Sequence, residues 1–251
     1  MKWVKDFYDK QFIWSTTQYD FDLNHLIEEH VDKVEHFSDH PITRILELGG
    51  GNGRFAVTAA RRGYDVTVIE LAPSCVENIY KLAEKHKIGS NLRIIQGDFY
   101  QVDLEEQFDI VCYWDGFGIG EDTDQQLLLK RISDWLQPNG VALIDIYTPW
   151  YWAKVAGQEM EFGNIVRRYD FDANGCRMLD TWWRKEHEGD QITQSLRCYS
   201  PVDFKLLMKD IDLNLVHCEP GGEMNYESGQ YTEQVELGKA MTFMAKLKKL
   251  A

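Results

Sequence analysis

Ile45-Leu46-Glu47-Leu48-Gly49-Gly50-Gly51-Asn52-Gly53 is an apolar run that breaks into four glycines within five residues, before Arg54-Phe55-Ala56-Val57 resumes it. A buried strand that turns sharply into a helix needs such glycines, which accept positive φ and let a ligand approach bare backbone. The free amides and positive dipole end of the following helix favour a negative group.

Outward from this turn, strand and helix patterns alternate. The first strand, Arg44 to Leu48, leads through the glycines into a helix running to Arg62, stopped by Gly63. Asp65 to Glu70 reads as the second strand, and Pro73-Ser74 opens a helix with Val76, Ile79, Leu82 and Ala83 on one face. Leu92 to Gln96 and Phe108 to Trp114 follow as strands three and four. A helix from about Asp122 to Leu136 then reaches the turn Gln137-Pro138-Asn139-Gly140 and a fifth strand, Val141 to Tyr147. Such alternation implies parallel strands joined by right-handed crossovers. Upstream, Lys2 to about Tyr19 is rich in aromatics at near-helical spacing. Leu23, Leu26, Ile27, Val31 and Val34 mark an amphipathic helix from Asp22 to Phe37.

Beyond Tyr147 the pattern becomes antiparallel. Asn164 to Tyr169, Cys176 to Lys185 and Gln191 to Ser200 read as strands, separated by turns at Asp172-Ala173-Asn174-Gly175 and Glu188-Gly189-Asp190. Ser200-Pro201-Val202-Asp203 starts a helix to about Asp210, followed by strands Leu213 to Cys218 and Met241 to Leu247.

The 251 residues suit one large domain, and a net charge of −14 lacks the basic footprint that nucleic acid or anionic membrane rewards. No apolar run approaches the roughly 20 residues of a membrane span, so the expected setting is soluble and cytoplasmic. The five cysteines are scattered without a Cys-x-x-Cys, which suggests neither a disulfide framework nor a metal site.

In an open α/β sheet the ligand sits beyond the C-terminal strand ends. Those ends carry the glycine turn, Glu70, Asp98 and Trp114-Asp115-Gly116. A carboxylate at Glu70 suits ribose hydroxyls, and Asp98 suits an exocyclic amine with Phe99 on the ring face. The glycines alone leave the cofactor open, because Gly51-Asn52-Gly53-Arg54-Phe55-Ala56 also satisfies the Gly-x-Gly-x-x-Ala dinucleotide fingerprint of nicotinamide enzymes.

Glu47 before the turn, the Gly97-Asp98 end of strand three and the late helix-strand-strand resemble the class I S-adenosylmethionine-dependent methyltransferase family, whose first motif, Glu/Asp-x-Gly-x-Gly-x-Gly, matches Glu47, Gly49, Gly51 and Gly53. The resemblance implies a doubly wound, mostly parallel seven-stranded Rossmann-like sheet with a final antiparallel strand. It implies S-adenosylmethionine as cofactor, its methionine end near Gly49, Gly51 and Trp114-Asp115, ribose on Glu70, and adenine beside Leu71, Asp98 and Phe99. Asn139 departs mildly from the glycine usual in the turn before strand five.

By the same resemblance, residues 1–40 form a helical lid, 41–148 the cofactor-binding core, 149–200 a β-hairpin cover over a small-molecule acceptor, and 201–251 the completion of the sheet. Tyr8, Trp14 and Tyr19 are lid candidates for acceptor contact. Tyr147, Trp150 and Trp152 are candidates from the cover side, and Trp182 and Trp183 must point to opposite faces of their strand. Arg167, Arg168, Arg184 and Arg197 lie in the hairpins as candidates for a substrate carboxylate or phosphate. Methyl transfer requires in-line alignment more than a base; if a proton must leave the acceptor, Asp115, Asp145, Tyr147 or His187 is placed to take it, and the sequence does not choose among them. The rival readings are a nicotinamide-dependent oxidoreductase and a ligand-binding regulator on a methyltransferase scaffold.

Overall fold

The computed structural model describes residues 2–17, 22–226 and 228–249. Two helices, α1 (Lys2–Ser15) and α2 (His25–Phe37), precede an alternating core of β1 (Arg44–Leu48), α3 (Arg54–Arg61), β2 (Asp65–Glu70), α4 (Pro73–Lys85), β3 (Leu92–Gln96), β4 (Phe108–Tyr113), α5 (Asp122–Trp135) and β5 (Leu136–Tyr147). The chain continues through α6 (Pro149–Lys154), four strands β6 (Glu159–Phe162), β7 (Ile165–Asp172), β8 (Arg177–Arg184) and β9 (His187–Arg197), then α7 (Pro201–Leu207) and β10 (Asn214–Pro220). A short hairpin, β11 (Glu223–Asn225) and β12 (Gln230–Thr232), leads to β13 (Thr242–Lys248).

The main sheet has the order β10-β13-β5-β4-β1-β2-β3. Strands β1 to β5 pair in parallel, and β13 runs against both β5 and β10. This is the expected seven-stranded, doubly wound arrangement. The antiparallel meander β6-β7-β8-β9 forms a separate sheet, inserted after β5. No helix among the described residues is long and apolar enough to cross a membrane.

Strand alternation sorts the core into two layers. In β1, Leu46 and Leu48 join α5 and α7 on one face, while Ile45 joins α2, α3 and α4 on the other. Strand β1 is buried along Ile45 to Leu48, as a parallel strand covered on both faces must be. Helix α2 starts later than its periodicity suggests, because the Asn24 side chain accepts from the Ile27 amide and caps it. Ile27, Val31 and Val34 are buried, but Leu26 faces solvent at 52% exposure, one position off the packing stripe.

Two turns differ from expectation. Gln137 to Gly140 does not separate helix from strand: β5 begins at Leu136 opposite Phe108, and a register shift before Ile110 and Val141 absorbs the extra residues. In the meander, Glu188-Gly189-Asp190 lies inside β9, since Arg184 pairs with His187 and the reversal falls at Lys185-Glu186. Strand β6 and the β11–β12 hairpin are too short to show a period.

Gly53 caps α3 at φ +79°, and a Cβ there would lie 2.5 Å from Ile79 Cγ1 and 3.1 Å from the Ile79 Cα. Left-handed backbone and a collision with a buried helix act together, so Gly53→Ala is expected to lower stability by about 2–4 kcal/mol, read by urea unfolding.

Candidate functional site

The strand order reverses between β4 and β1, and the glycine turn leaves β1 at that point, which is where an open α/β sheet forms its crevice. A cavity of about 370 Å³ lies there. Its floor comes from the turn and the ends of β2, β3 and β4; α1 and the meander close it from above.

The turn is built by Gly49 (φ +64°) and Gly51 (φ +52°), with the Gly49 amide donating to Ile69 O at 2.8 Å. A Cβ on Gly51 would meet nothing within 4 Å, so bare backbone faces open space. Glu70 fastens the turn to β2. Its Oε2 accepts from the Gly51 amide at 2.8 Å and its Oε1 from the Ala72 amide at 2.7 Å. Burial raises the Glu70 pKa and these amides oppose the rise. At least one of its roughly four lone-pair positions remains for a ligand.

Glu47 and Gly53 support the turn from outside the cavity lining. Glu47 is buried, and burial with Glu70 as a like-charged neighbour pushes its carboxyl well above the usual range. Leu71, Asp98 and Phe99 line the cavity beyond Glu70. Asp98 Oδ1 accepts from the Tyr100 amide at 2.9 Å, and Phe99 meets Tyr113 edge-on with ring centroids 5.4 Å apart. On the other side, Trp114 stacks on His30 at 5.6 Å, and its buried Nε1 has no hydrogen-bond partner.

Asp115 has φ +54°, a left-handed conformation rare for a residue with a side chain, and it points into the cavity beside Gly116. The Tyr147 hydroxyl donates to Asp115 Oδ1. Enclosure raises the Asp115 pKa, while Tyr147 and the nearby Arg167 oppose the rise. Asp145, two residues before Tyr147, is pushed up to about 7 by burial and then by the charge of Asp115. The folded chain therefore keeps a proton that unfolded Asp145 releases near pH 4, and the stability this proton lends is lost as the pH rises toward 7. Asp145→Asn is expected to match the parent near pH 4 and to exceed its stability at pH 8 by about 1–2 kcal/mol in urea unfolding, the half-buried carboxyl being partly solvated.

Tyr8 reaches the cavity from α1, but the other aromatic candidates stand back from it. Trp14 is buried with Phe7, Ile165 and Trp182, and Arg184 lies over its ring at 5.5 Å. Trp152 is core, its Nε1 donating to Met241 O at 2.9 Å, and Trp150 packs on the same cluster. Tyr147 touches the site through Asp115. His187 is exposed on β9, and Tyr19 lies outside the described residues.

The meander supplies what the sequence reading left unassigned. Asp180, fully buried on β8, accepts from Arg167 Nε at 2.7 Å and Nη2 at 2.8 Å, from Trp182 Nε1 at 2.9 Å and from Gln194 Nε2 at 2.8 Å. The Tyr8 hydroxyl donates to Gln194 Oε1 at 3.0 Å, which ties α1 to this cluster. Asp9 Oδ1 also accepts from the Ser74 amide and hydroxyl, and Lys10 pairs with Asp190 at 2.8 Å. Of the four arginine candidates in the hairpins only Arg167 lines the cavity, with Trp182 and Gln194, and Trp183 points away. Asp180 and Trp182 share a strand face by their two-residue spacing; their meeting with Arg167 and Gln194 depends on three-strand register, which no single-strand period reveals.

Residues 45–140 match a family model described as "Methyltransferase domain". Among curated proteins, the ubiquinone biosynthesis O-methyltransferase of Rickettsia typhi is 28% identical over 124 residues, 49% of each chain. The cypemycin N-terminal methyltransferase of a Streptomyces species is 24% identical over 150 residues, 59% of this chain and 57% of that one. The chain thus spans about half the length of the curated relatives it matches. Among solved structures, the CcbJ methyltransferase of Streptomyces caelestis is similar over 98% of both chains with a TM-score of 0.76 at 18% identity. A methyltransferase of Clostridium acetobutylicum covers 92% of this chain and 94% of its own with 0.70 at 14%. At these identities the structural likeness speaks for the fold. Together with the strand order, it shows that this chain has the fold of those methyltransferases, with a methyltransferase-domain match over residues 45–140.

Proposed function

We propose that this protein transfers the methyl group of S-adenosylmethionine to a small-molecule acceptor. The observation that carries the reading is the enclosed cavity at the switch point, with the glycine turn, Glu70, Asp98 and Phe99 along one part and α1 and the meander closing the other. These residues fit the cofactor: open backbone at Gly51, a carboxylate with a free lone pair at Glu70, and an acid beside an aromatic ring at Asp98-Phe99. Glu47 and Gly53 hold the turn in shape. When bound, the cofactor supplies an electrophilic methyl carbon on a sulfonium centre.

The chain's own part is alignment and exclusion of water. Residues 1–40 form the helical cover, 41–148 the cofactor half, 149–200 the acceptor cover, and 201–251 complete the sheet. Tyr8 contacts the acceptor directly, while Trp14, Trp150 and Trp152 stiffen the walls from behind. Asp115, with its raised pKa and its bond from Tyr147, takes a proton from an acceptor amine or hydroxyl. The matching relatives bear names of both O- and N-methyltransferases, so the acceptor atom is left to chemistry. The five cysteines, all free, suit a cytoplasmic setting, and the acidic charge suits a small molecule over nucleic acid.

Calorimetric titration with S-adenosylmethionine and S-adenosylhomocysteine tests the reading, with micromolar affinity expected for both. Absence of binding by either, or thermal stabilisation by a nicotinamide dinucleotide instead, overturns it. Cofactor binding without transfer of labelled methyl to any of a broad acceptor panel points to a regulator.

A further inference from the structure

Arg167 is the sole lysine or arginine among the described residues lining the cavity, whose other charged members are Glu70, Asp98 and Asp115. It is held with unusual completeness. Asp180 takes the Nε–Nη2 edge of the guanidinium at 2.7 and 2.8 Å, and the rings of Tyr169 and Trp182 lie 4.7 and 4.9 Å from its centre. Asp180 is itself held by Trp182 and Gln194, and Gln194 by Tyr8 of α1. A guanidinium has two edges able to bind two oxygens side by side. With the first occupied, the second, formed by Nη1 and the remaining Nη2 hydrogen, meets no acceptor among the described residues, and Nη1 is not a buried orphan. The 23% of the Arg167 side chain left exposed belongs to a residue of the cavity wall.

A structural strut between β7 and β8 needs only the Asp180 edge. Holding a charged pair in a largely buried place is costly compared with apolar packing, and nothing in the strut role calls for a free fork in the cavity. Arg167 lies on the acceptor side, since it lines the cavity with Trp182 and Gln194 of the meander and with Tyr8 of α1, whereas Glu70 is held at the glycine turn by backbone amides.

We propose that the acceptor of this enzyme carries a carboxylate, bound end-on by the free Nη1–Nη2 edge of Arg167, with the atom to be methylated turned toward Asp115 and Tyr147. A planar pair of oxygens matches the fork. One monoanion is the charge that fits, because Asp180 already balances Arg167 and three acids share the cavity, a setting that disfavours a phosphate dianion. Asp180, Trp182 and Gln194 are then positioning residues for the fork. The proposal rests on the methyltransferase reading, so its test begins with cofactor.

The experiment uses the full chain loaded with S-adenosylhomocysteine, with ligand-observed saturation-transfer NMR of acetate, glycinate, benzoate and indole-3-acetate, their primary amides, and phenyl phosphate. At least one carboxylate is expected to bind with a tenfold or greater preference over its amide and over phenyl phosphate. Arg167→Met is expected to abolish that preference while S-adenosylhomocysteine affinity stays within about twofold. Since Arg167→Met strands the Asp180 carboxylate, the double variant R167M/D180N serves as the folded control, and Arg167→Lys, which keeps the charge but not the fork, is expected to recover little. Failure of S-adenosylhomocysteine to bind the parent overturns the methyltransferase reading itself. Cofactor binding with no carboxylate preference, with stronger binding of phenyl phosphate, or with a tenfold loss of cofactor affinity in both Met variants overturns this proposal alone, the last by giving Arg167 to the cofactor.

Discussion

Asp180→Ala is expected to destabilise the protein by about 3–5 kcal/mol, the range for breaking a buried ion pair at one partner. Asp180 has no exposed surface, and four donors from three residues end on its two oxygens. Removing it leaves Arg167 without its counter-charge and the Trp182 and Gln194 donors without acceptors, and each orphaned buried donor adds to the cost. The loss also reaches α1, because the Gln194 amide that accepts from Tyr8 is oriented by its own bond to Asp180. Chemical unfolding followed by tryptophan fluorescence reads the change. Protease cleavage is expected first in the meander and α1, since the main-sheet core makes no use of this carboxylate. A variant within 1 kcal/mol of the parent would mean that water fills the site and that the cluster is not a fixed unit. Asp180→Asn is the milder probe. It keeps an acceptor for Trp182 or Gln194 and gives up the charge, so the difference between the two variants measures the stranded donors.

What could be read from the chain before its structure divides along the range of the interactions. The parallel core was legible because each β-α unit carries its own local signals: the apolar run Ile45 to Leu48, the glycines, Pro73 at a helix start, the caps. Strand ends in an open sheet point the same way, so Glu70, Asp98 and Asp115 could be placed on one edge without knowing any distance. The sequence suggests Trp14 and Trp152 as acceptor contacts, yet they stand behind the wall, because spacing tells which residues share a face but not what covers that face. Arg167 could be grouped with the hairpin arginines Arg168, Arg184 and Arg197 but not chosen from them. Its selection depends on Asp180 thirteen positions away and on Gln194 a strand further, and it appears only when the register of β7, β8 and β9 is known.

Glu70→Ala is expected to weaken S-adenosylmethionine binding by about 100-fold, which is the scale of one to two charge-assisted hydrogen bonds. The structure gives Glu70 one duty and the proposed function a second, and the experiment must separate them. As a structural group it accepts from the Gly51 and Ala72 amides and so joins the glycine turn to the end of β2. As the binding group of the proposed function, it would offer its remaining lone pairs to ribose hydroxyls. Alanine removes both, but the freed Gly51 amide borders the cavity and can be hydrated, so the stability loss is expected to stay near 1–2 kcal/mol while the affinity loss is larger. Glu70→Gln divides the duties differently. One amide oxygen still accepts from backbone, whereas the new NH₂ has to face a backbone amide or the ligand, and the charge is gone. An affinity loss for Gln well short of that for Ala, with the Ala variant melting no more than about 2–8 °C below the parent, assigns Glu70 to the ligand. If Ala lowers the melting temperature but binds S-adenosylmethionine as the parent does, Glu70 is only the clasp of the turn, and the ribose hydroxyls must be held elsewhere on the cavity floor.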